Sequence, residues 1–140
     1  MGIFDVIKAG AEKLREVTRQ RMMEEVADFL HSAVGGQKNL DILIDARMSF
    51  YEAAPVIFRS REGAAWLKEK RIIIDIGESA DIQTQLITKI GESSFGSYLM
   101  SIEIDSAIDG FGVIIEDAGF EVPEWYLRMC MEDFTKALRS

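Results

Sequence analysis

The chain has few of the residue types on which several common kinds of site depend. Its 140 residues include one cysteine, Cys130, and one histidine, His31. A lone cysteine cannot form an intrachain disulfide, and it gives no sign of an oxidising compartment. A lone histidine excludes the common histidine-rich metal sites. The two residues lie in separate predicted helices, so a cysteine–histidine catalytic pair is not indicated.

Long apolar runs and an excess of basic charge are also missing. The longest uninterrupted apolar stretch is only a few residues, so no membrane-spanning helix is expected. The first residues do not resemble a secretory signal peptide, because Asp5 and Lys8 interrupt a short apolar stretch. The formal net charge is −8, whereas nucleic-acid binding needs a basic stripe that neutralises phosphates. We therefore expect a cytoplasmic protein that binds no nucleic acid.

The charge that is present is distributed unevenly. Apolar residues make up 48% of the chain, which suffices for the core of one domain over 1–140. Residues 72–121 contain ten carboxylates, twelve isoleucines and one basic residue, Lys89, whereas the rest of the chain is close to neutral. Such an excess of one sign indicates a cationic partner, a bound cation or a solvated rim.

The near-neutral half, 1–71, is predicted to be helical. Apolar residues from Ile3 to Ala33 recur at spacings of three and four, which is typical of an amphipathic helix, and Gly35–Gly36 is predicted to end it. The stripe has a polar waist at 15–21. A second copy could complete the core there, so a homo-oligomer is an open alternative.

A second helix is predicted after the glycine pair. Asn39 is expected to cap it. Pro55 lies inside its apolar pattern and is expected to kink or end the helix near Ala54. A further short helix is predicted through 64–67.

Periodicity within 71–117 fits both helix and strand. Ile72, Ile73, Ile74 and Ile76 are β-branched and typical of a strand. Apolar residues from Met100 to Ala118 instead form a helical stripe.

Local end signals favour helices in this acidic segment. Ser79 or Asp81 can cap a helix over 82–90, and Ser93 or Ser94 can cap the next one. Gly119 fits a helix stop in the left-handed conformation. Together with a C-terminal helix at 123–139, which begins at Pro123, these signals predict an all-α, compact multi-helix domain. An α+β fold with a small antiparallel sheet within 71–117 is the alternative.

One twelve-residue segment, 105–116, resembles a calcium-binding EF-hand loop in the placement of its acids. Asp105, Asp109 and Glu116 occupy positions 1, 5 and 12, and a glycine occupies position 6. Ala107 at position 3 offers no oxygen ligand. These three acids are the candidate metal ligands, and a solvated acidic helix face is the alternative.

The sequence contains no phosphate-binding glycine loop and no catalytic motif. We therefore predict no catalytic residue, no cofactor and no enzymatic activity. The leading hypothesis is a protein–protein interaction module, such as an adaptor, an inhibitor or an immunity-type protein, that presents an acidic surface to a basic partner. The residues predicted to bind that partner are Glu103, Asp105, Asp109, Glu116 and Asp117.

Two other functions remain as alternatives. The carboxylates of 105–117 could serve a divalent-cation-binding module or a metal-dependent enzyme. The N-terminal helix, with five basic residues within 3–21, could anchor a peripheral membrane protein. An ordinary core helix is favoured there, because Glu12 and Glu16 dilute the charge and the acidic segment would be repelled by anionic lipid.

Overall fold

The computed structural model describes residues 19–140, except for the side chains of Ser94, Phe95 and Tyr98. All regular structure in this range is helical, which confirms the predicted all-α fold. No strand forms within 71–117, so the alternative with an antiparallel sheet is wrong. Helix α1 comprises 19–28 and continues as a π-helical turn, Phe29–Val34. The following helices are α2 Gln37–Asp45, α3 Phe50–Arg59, α4 Arg61–Glu69, α5 Ile82–Gly91, α6 Ser94–Ser101, α7 Ile104–Asp117 and α8 Glu124–Arg139.

Several helix ends follow the sequence signals. Gly35, with φ of 101°, ends the π-helical turn as predicted, and Gly119, with φ of 89°, ends α7. The amide of Phe120 donates to the carbonyl of Ile115 at 3.1 Å, which is the hydrogen bond of a Schellman closure. Asp81 caps α5 by accepting from the amide of Thr84 at 3.0 Å. These ends place the loop between α7 and α8 beside the start of α2.

Two predicted boundaries in the first half are wrong. Helix α2 begins at Gln37, two residues before Asn39, and the Asn39 amide instead donates to the carbonyl of Val34 at 2.9 Å. Pro55 lies inside α3, which continues to Arg59. Proline cannot donate to the carbonyl four residues earlier, and the Gln83 side chain donates to that carbonyl, of Tyr51, at 3.0 Å. This substitute hydrogen bond supports an uninterrupted helix.

The isoleucine-rich segment at 72–76 forms neither strand nor helix. Its main chain bonds to side chains of other elements: the Gln85 amide accepts from the Asp75 N–H at 2.8 Å and donates to the Asp75 carbonyl at 2.9 Å. The guanidinium of Arg59 donates to the carbonyl of Gly77 at 2.9 Å. β-Propensity expresses itself only where a neighbouring strand offers a pleated surface, and none does so in the described residues.

The stripe predicted from Met100 to Ala118 is divided between two helices. α6 ends at Ser101 and α7 begins at Ile104, and Met100 is 46% exposed. Ser93 caps α6 as predicted, since its hydroxyl accepts from the amide of Gly96 at 3.2 Å.

The core lies where α8 packs against α3, α5, α6 and α7. The π-helical turn packs against α2, α3 and α4 on the other side. Cys130 is buried on the apolar face of α8, as predicted, and burial raises the pKa of its thiol to about 11. Such a thiol is inert at neutral pH. The most buried large side chains are Tyr126, Leu30, Leu40, Ile82 and Cys130.

Candidate partner-binding groove

Helix α7 positions the acids that were predicted to bind a partner. Glu103 directly precedes the helix, and Asp105 lies in its first turn. Asp109, Glu116 and Asp117 follow towards its C-terminal end. All five are exposed, because the opposite face of the helix packs into the core. The buried residues of α7 are Ala107, Ile108, Phe111, Ile114 and Ile115.

Residues 105–116 do not form a calcium-binding loop. They are helical throughout, so Asp105 and Glu116 are separated by about 16 Å along the helix axis. Calcium ligands must lie within 2.3–2.6 Å of one ion. Within residues 19–140, no group of three or more acidic, cysteine or histidine side chains is arranged to hold a metal. The EF-hand interpretation is therefore wrong for this segment.

The acids at the two ends of α7 are already paired with arginines. The Asp105 carboxylate lies 2.8 Å from the guanidinium of Arg128 on α8, and this hydrogen bond raises the pKa of Arg128. Asp117 lies 3.2 Å from Arg19 on α1, 98 residues away in the sequence. A negative charge in the last turn of a helix opposes the helix dipole, so the arginine compensates an unfavourable position. Two of the five predicted acids are thus neutralised within the protein.

The middle of α7 lines a groove of about 880 Å³ between α2, α7 and the loop that leads into α8. Carboxylates from all three elements surround it, and none of the described residues that line it is basic. The five acids are Asp41, Asp109, Glu116, Glu121 and Glu124. Apolar side chains form most of the remaining wall, namely Ile44, Ile108, Val113, Ile115, Phe120, Val122, Pro123 and Leu127. We call this surface the acidic groove.

A single glutamine fastens the loop side of the acidic groove to α2. The Gln37 amide donates to the carbonyl of Glu121 and accepts from its N–H, both at 2.9 Å. The same amide donates to the carboxylate of Asp41 at 2.7 Å. The neighbouring Phe120 is buried and its ring lies 4.5 Å from that of His31. The loop therefore has a defined position relative to the acids of α7.

The five acids of the acidic groove differ in how well they are compensated. Asp41 accepts from Gln37, and Glu124 lies 3.6 Å from Arg128. Within residues 19–140, the carboxylates of Asp109, Glu116 and Glu121 have no hydrogen bond or ion pair. Unmatched like charges in a concave surface raise the local concentration of cations. These three acids are therefore the ones that no described residue neutralises.

Gly112 lines the acidic groove without contributing a side chain. A Cβ atom at Gly63 or Gly96 would collide with a main-chain carbonyl of the preceding helix, so close packing between helices explains those two glycines. A Cβ at Gly112 would meet only the Leu127 side chain, at an ordinary contact distance of 3.8 Å. Glycine in a helix interior costs roughly 1 kcal/mol relative to alanine. Packing among the described residues therefore does not explain this glycine.

Sequence reasoning found only part of this site. Asp109 and Glu116 were predicted, and both line the acidic groove, whereas Glu103, Asp105 and Asp117 do not. The missed acids are Asp41, Glu121 and Glu124. Their convergence depends on the Gln37 contact with the α7–α8 loop, which no local pattern indicates.

Comparisons with family models, with curated proteins and with solved structures found no match to this chain. Within the described residues, no helix has both the length and the apolar character needed to cross a membrane. The basic N-terminal segment proposed as a membrane anchor, 3–21, lies almost entirely outside the described residues. The same holds for the polar waist at 15–21, so the homo-oligomer stays a prediction.

Proposed function

We propose that this chain is a non-enzymatic interaction protein that binds a basic segment of a partner protein in the acidic groove. The observation that carries the proposal is the set of five carboxylates around an apolar wall, with no basic residue among the described residues that line it. The proposed binding surface is smaller than the one predicted from the sequence. Asp105 and Asp117 are left out of it because each forms an ion pair with an arginine. The cytoplasmic location predicted from the sequence is part of this proposal.

The mixture of acids and apolar side chains favours lysine- or arginine-bearing segments over a free ion. The long aliphatic stems of lysine and arginine lie well on apolar surface while their charged ends reach a carboxylate. Val113, which is 47% exposed, and the half-buried Val122 and Pro123 supply such apolar surface among the acids of the groove. Electrostatic attraction then speeds encounter, and the buried apolar contact holds the complex.

The proposal is tested by titrating the isotope-labelled protein with a short unstructured peptide of lysine, serine and glycine, followed by NMR. We expect amide shifts concentrated at the acidic groove, for example at Asp109, Gly112 and Glu121. Asp75 and Glu78, which are equally exposed acids in the α4–α5 loop, provide the internal control. Shifts spread evenly over both regions, or none at millimolar peptide, would contradict a specific groove.

Variants separate the groove from the overall charge. Asp109→Asn combined with Glu116→Gln removes two unpaired acids, and we expect it to abolish most of the shifts. Asp105→Asn combined with Asp117→Asn removes the same charge from the same helix and is the matched control. Equal losses in both double variants would show that the peptide responds to net charge alone.

A further inference from the structure

Four residues of the acidic groove form a hole of the kind that accepts a side chain from a facing helix. Asp109, Gly112, Val113 and Glu116 are spaced i, i+3, i+4 and i+7 along α7, and all four line the groove. This spacing is the four-residue hole into which a knob residue of a partner helix inserts. The arrangement is geometric and does not depend on the charge of the groove.

The hole is lowest at Gly112. Gly112 has no side chain, and a carbon placed at its Cβ position would lie 3.8 Å from the Leu127 side chain beneath it. The missing side chain therefore lowers the helix surface at this point, above the buried Leu127 side chain. Val113, which is 47% exposed, forms the opposite apolar side of the hole.

Acids close the hole at both ends. Asp109 and Glu116 lie seven residues apart, which corresponds to about 10 Å along the helix axis. Neither has a partner within residues 19–140. In paired helices, charged residues flank the apolar knob and choose the partner by their sign. Basic residues on either side of the knob therefore complement both ends.

We infer that the occupant of the acidic groove is an amphipathic α-helix of another protein, which inserts a leucine-sized side chain above Gly112. Lysine or arginine residues three or four positions before and after that leucine pair with Asp109 and Glu116. The inference rests on the proposed function and names its partner class: a helix with a basic–apolar–basic pattern over about two turns. The exposed Val113 contacts the inserted side chain.

The test is a bump-and-hole experiment with two designed helical peptides. Both carry the two lysines, and one has leucine at the knob position where the other has alanine. Binding is measured by isothermal titration calorimetry for the wild-type chain and for Gly112→Leu, which fills the hole. Gly112→Ala is the intermediate variant, and thermal unfolding checks that each variant is folded.

We expect the wild type to bind the leucine peptide about tenfold more tightly than the alanine peptide, since burial of the larger side chain favours the complex. Gly112→Leu should bind the leucine peptide more weakly than the wild type does and should bind the alanine peptide with unchanged affinity. The preference between the two peptides is then reversed. If both peptides bind the wild type equally, and salt weakens both, the knob inference is overturned and the acidic groove stands. If neither peptide binds, and the unstructured peptide also fails, both proposals fall.

Discussion

The ends and the middle of α7 carry the same kind of residue in opposite situations. At the ends, Asp105 and Asp117 are paired with Arg128 and Arg19. In the middle, Asp109 and Glu116 face a groove whose described lining contains no basic residue. A count of charges along the chain therefore does not identify the charges that lack a partner in the folded protein. Among the residues that the structure describes, the acids in the middle of this helix are the ones without a partner.

The acids in the middle of α7 lower the stability of the folded protein. Acids clustered without counter-charges repel one another and disfavour the compact state. Gly112, at the centre of the same surface, also lowers helix stability without a packing reason. Departures from the most stable choice that collect at one place are typical of functional surfaces.

The largest expected effect comes from removing the support of the groove. Phe120→Ala should lower the free energy of unfolding by about 3 kcal/mol, because a buried aromatic ring is replaced by a cavity. Phe120 is 4% exposed and packs against His31. Urea denaturation measures the change, and Val113→Ala, at a 47% exposed position, is the control with a loss below about 0.5 kcal/mol. A loss for Phe120→Ala no larger than that of the control would contradict the assigned packing.

The next effect concerns the fastening of the loop. Gln37→Ala should lower the free energy of unfolding by about 1–2 kcal/mol, because the main-chain groups of Glu121 lose their partner. Chemical denaturation compares it with Gln20→Ala, whose side chain makes only a long 3.4 Å hydrogen bond to Glu24. Binding of the lysine peptide should weaken in Gln37→Ala and not in Gln20→Ala, because the loop side of the groove loses its position. Equal stability of the two variants would show that the Gln37 contacts do not hold the loop.

A smaller effect is expected on the melting temperature, with opposite signs for the acids in the middle and at the ends of α7. At low salt, Asp109→Asn combined with Glu116→Gln should raise the melting temperature by roughly 1–3 °C, since repulsion is relieved. Asp105→Asn combined with Asp117→Asn should lower it by a similar amount, because two ion pairs are lost. Thermal unfolding at low and high salt measures both, and salt should shrink both differences. Changes of the same sign would contradict the contrast between paired and unpaired acids.

The smallest expected effect is on the pH dependence of stability, through two carboxyls outside α7 that have hydrogen-bond partners. The amide and hydroxyl of Thr84 lower the pKa of Asp81 below its ordinary value of 3.8, and a hydrogen bond from Lys70 does so for Asp28. A carboxyl whose pKa is lowered by folding stabilises the native state above its unfolded pKa. That contribution is lost as the pH falls through the folded pKa.

Asp81→Asn keeps a good helix cap but removes the ionisation. We expect a shallower decrease of unfolding free energy between pH 4 and pH 2 in this variant, measured by urea denaturation at each pH. An unchanged slope would show that the capping carboxylate does not contribute to acid sensitivity.

The sequence predicted those parts of the fold that depend on neighbouring residues. The helix ends at Gly35 and Gly119, the cap at Asp81 and the buried Cys130 all follow from local patterns, and the structure confirms them. The strand at 72–76 was wrong, because β-branched residues need a neighbouring strand that the fold does not supply. Of the predicted kink or end at Pro55, the end was wrong, because Gln83, far along the chain, replaces the missing hydrogen bond.

The candidate site was predictable to a similar extent. Asp109 and Glu116 stood out because they share a helix with other acids. Asp41 was hidden in a near-neutral region, and the pairing of Arg19 with Asp117 joins residues 98 positions apart. Contacts of this range are set by the packing of whole helices, which periodicity does not reveal.

The most direct test of the central claim is the association rate of the leucine peptide, measured by stopped-flow fluorescence at low and high salt. Unpaired acids should steer a cation and paired acids should not, so Asp109→Asn with Glu116→Gln should slow association at low salt by about tenfold or more. Asp105→Asn with Asp117→Asn should slow it less, although it removes the same charge, because neither acid lines the groove. Equal slowing by the two double variants would contradict the claim that the middle of α7 is the binding surface.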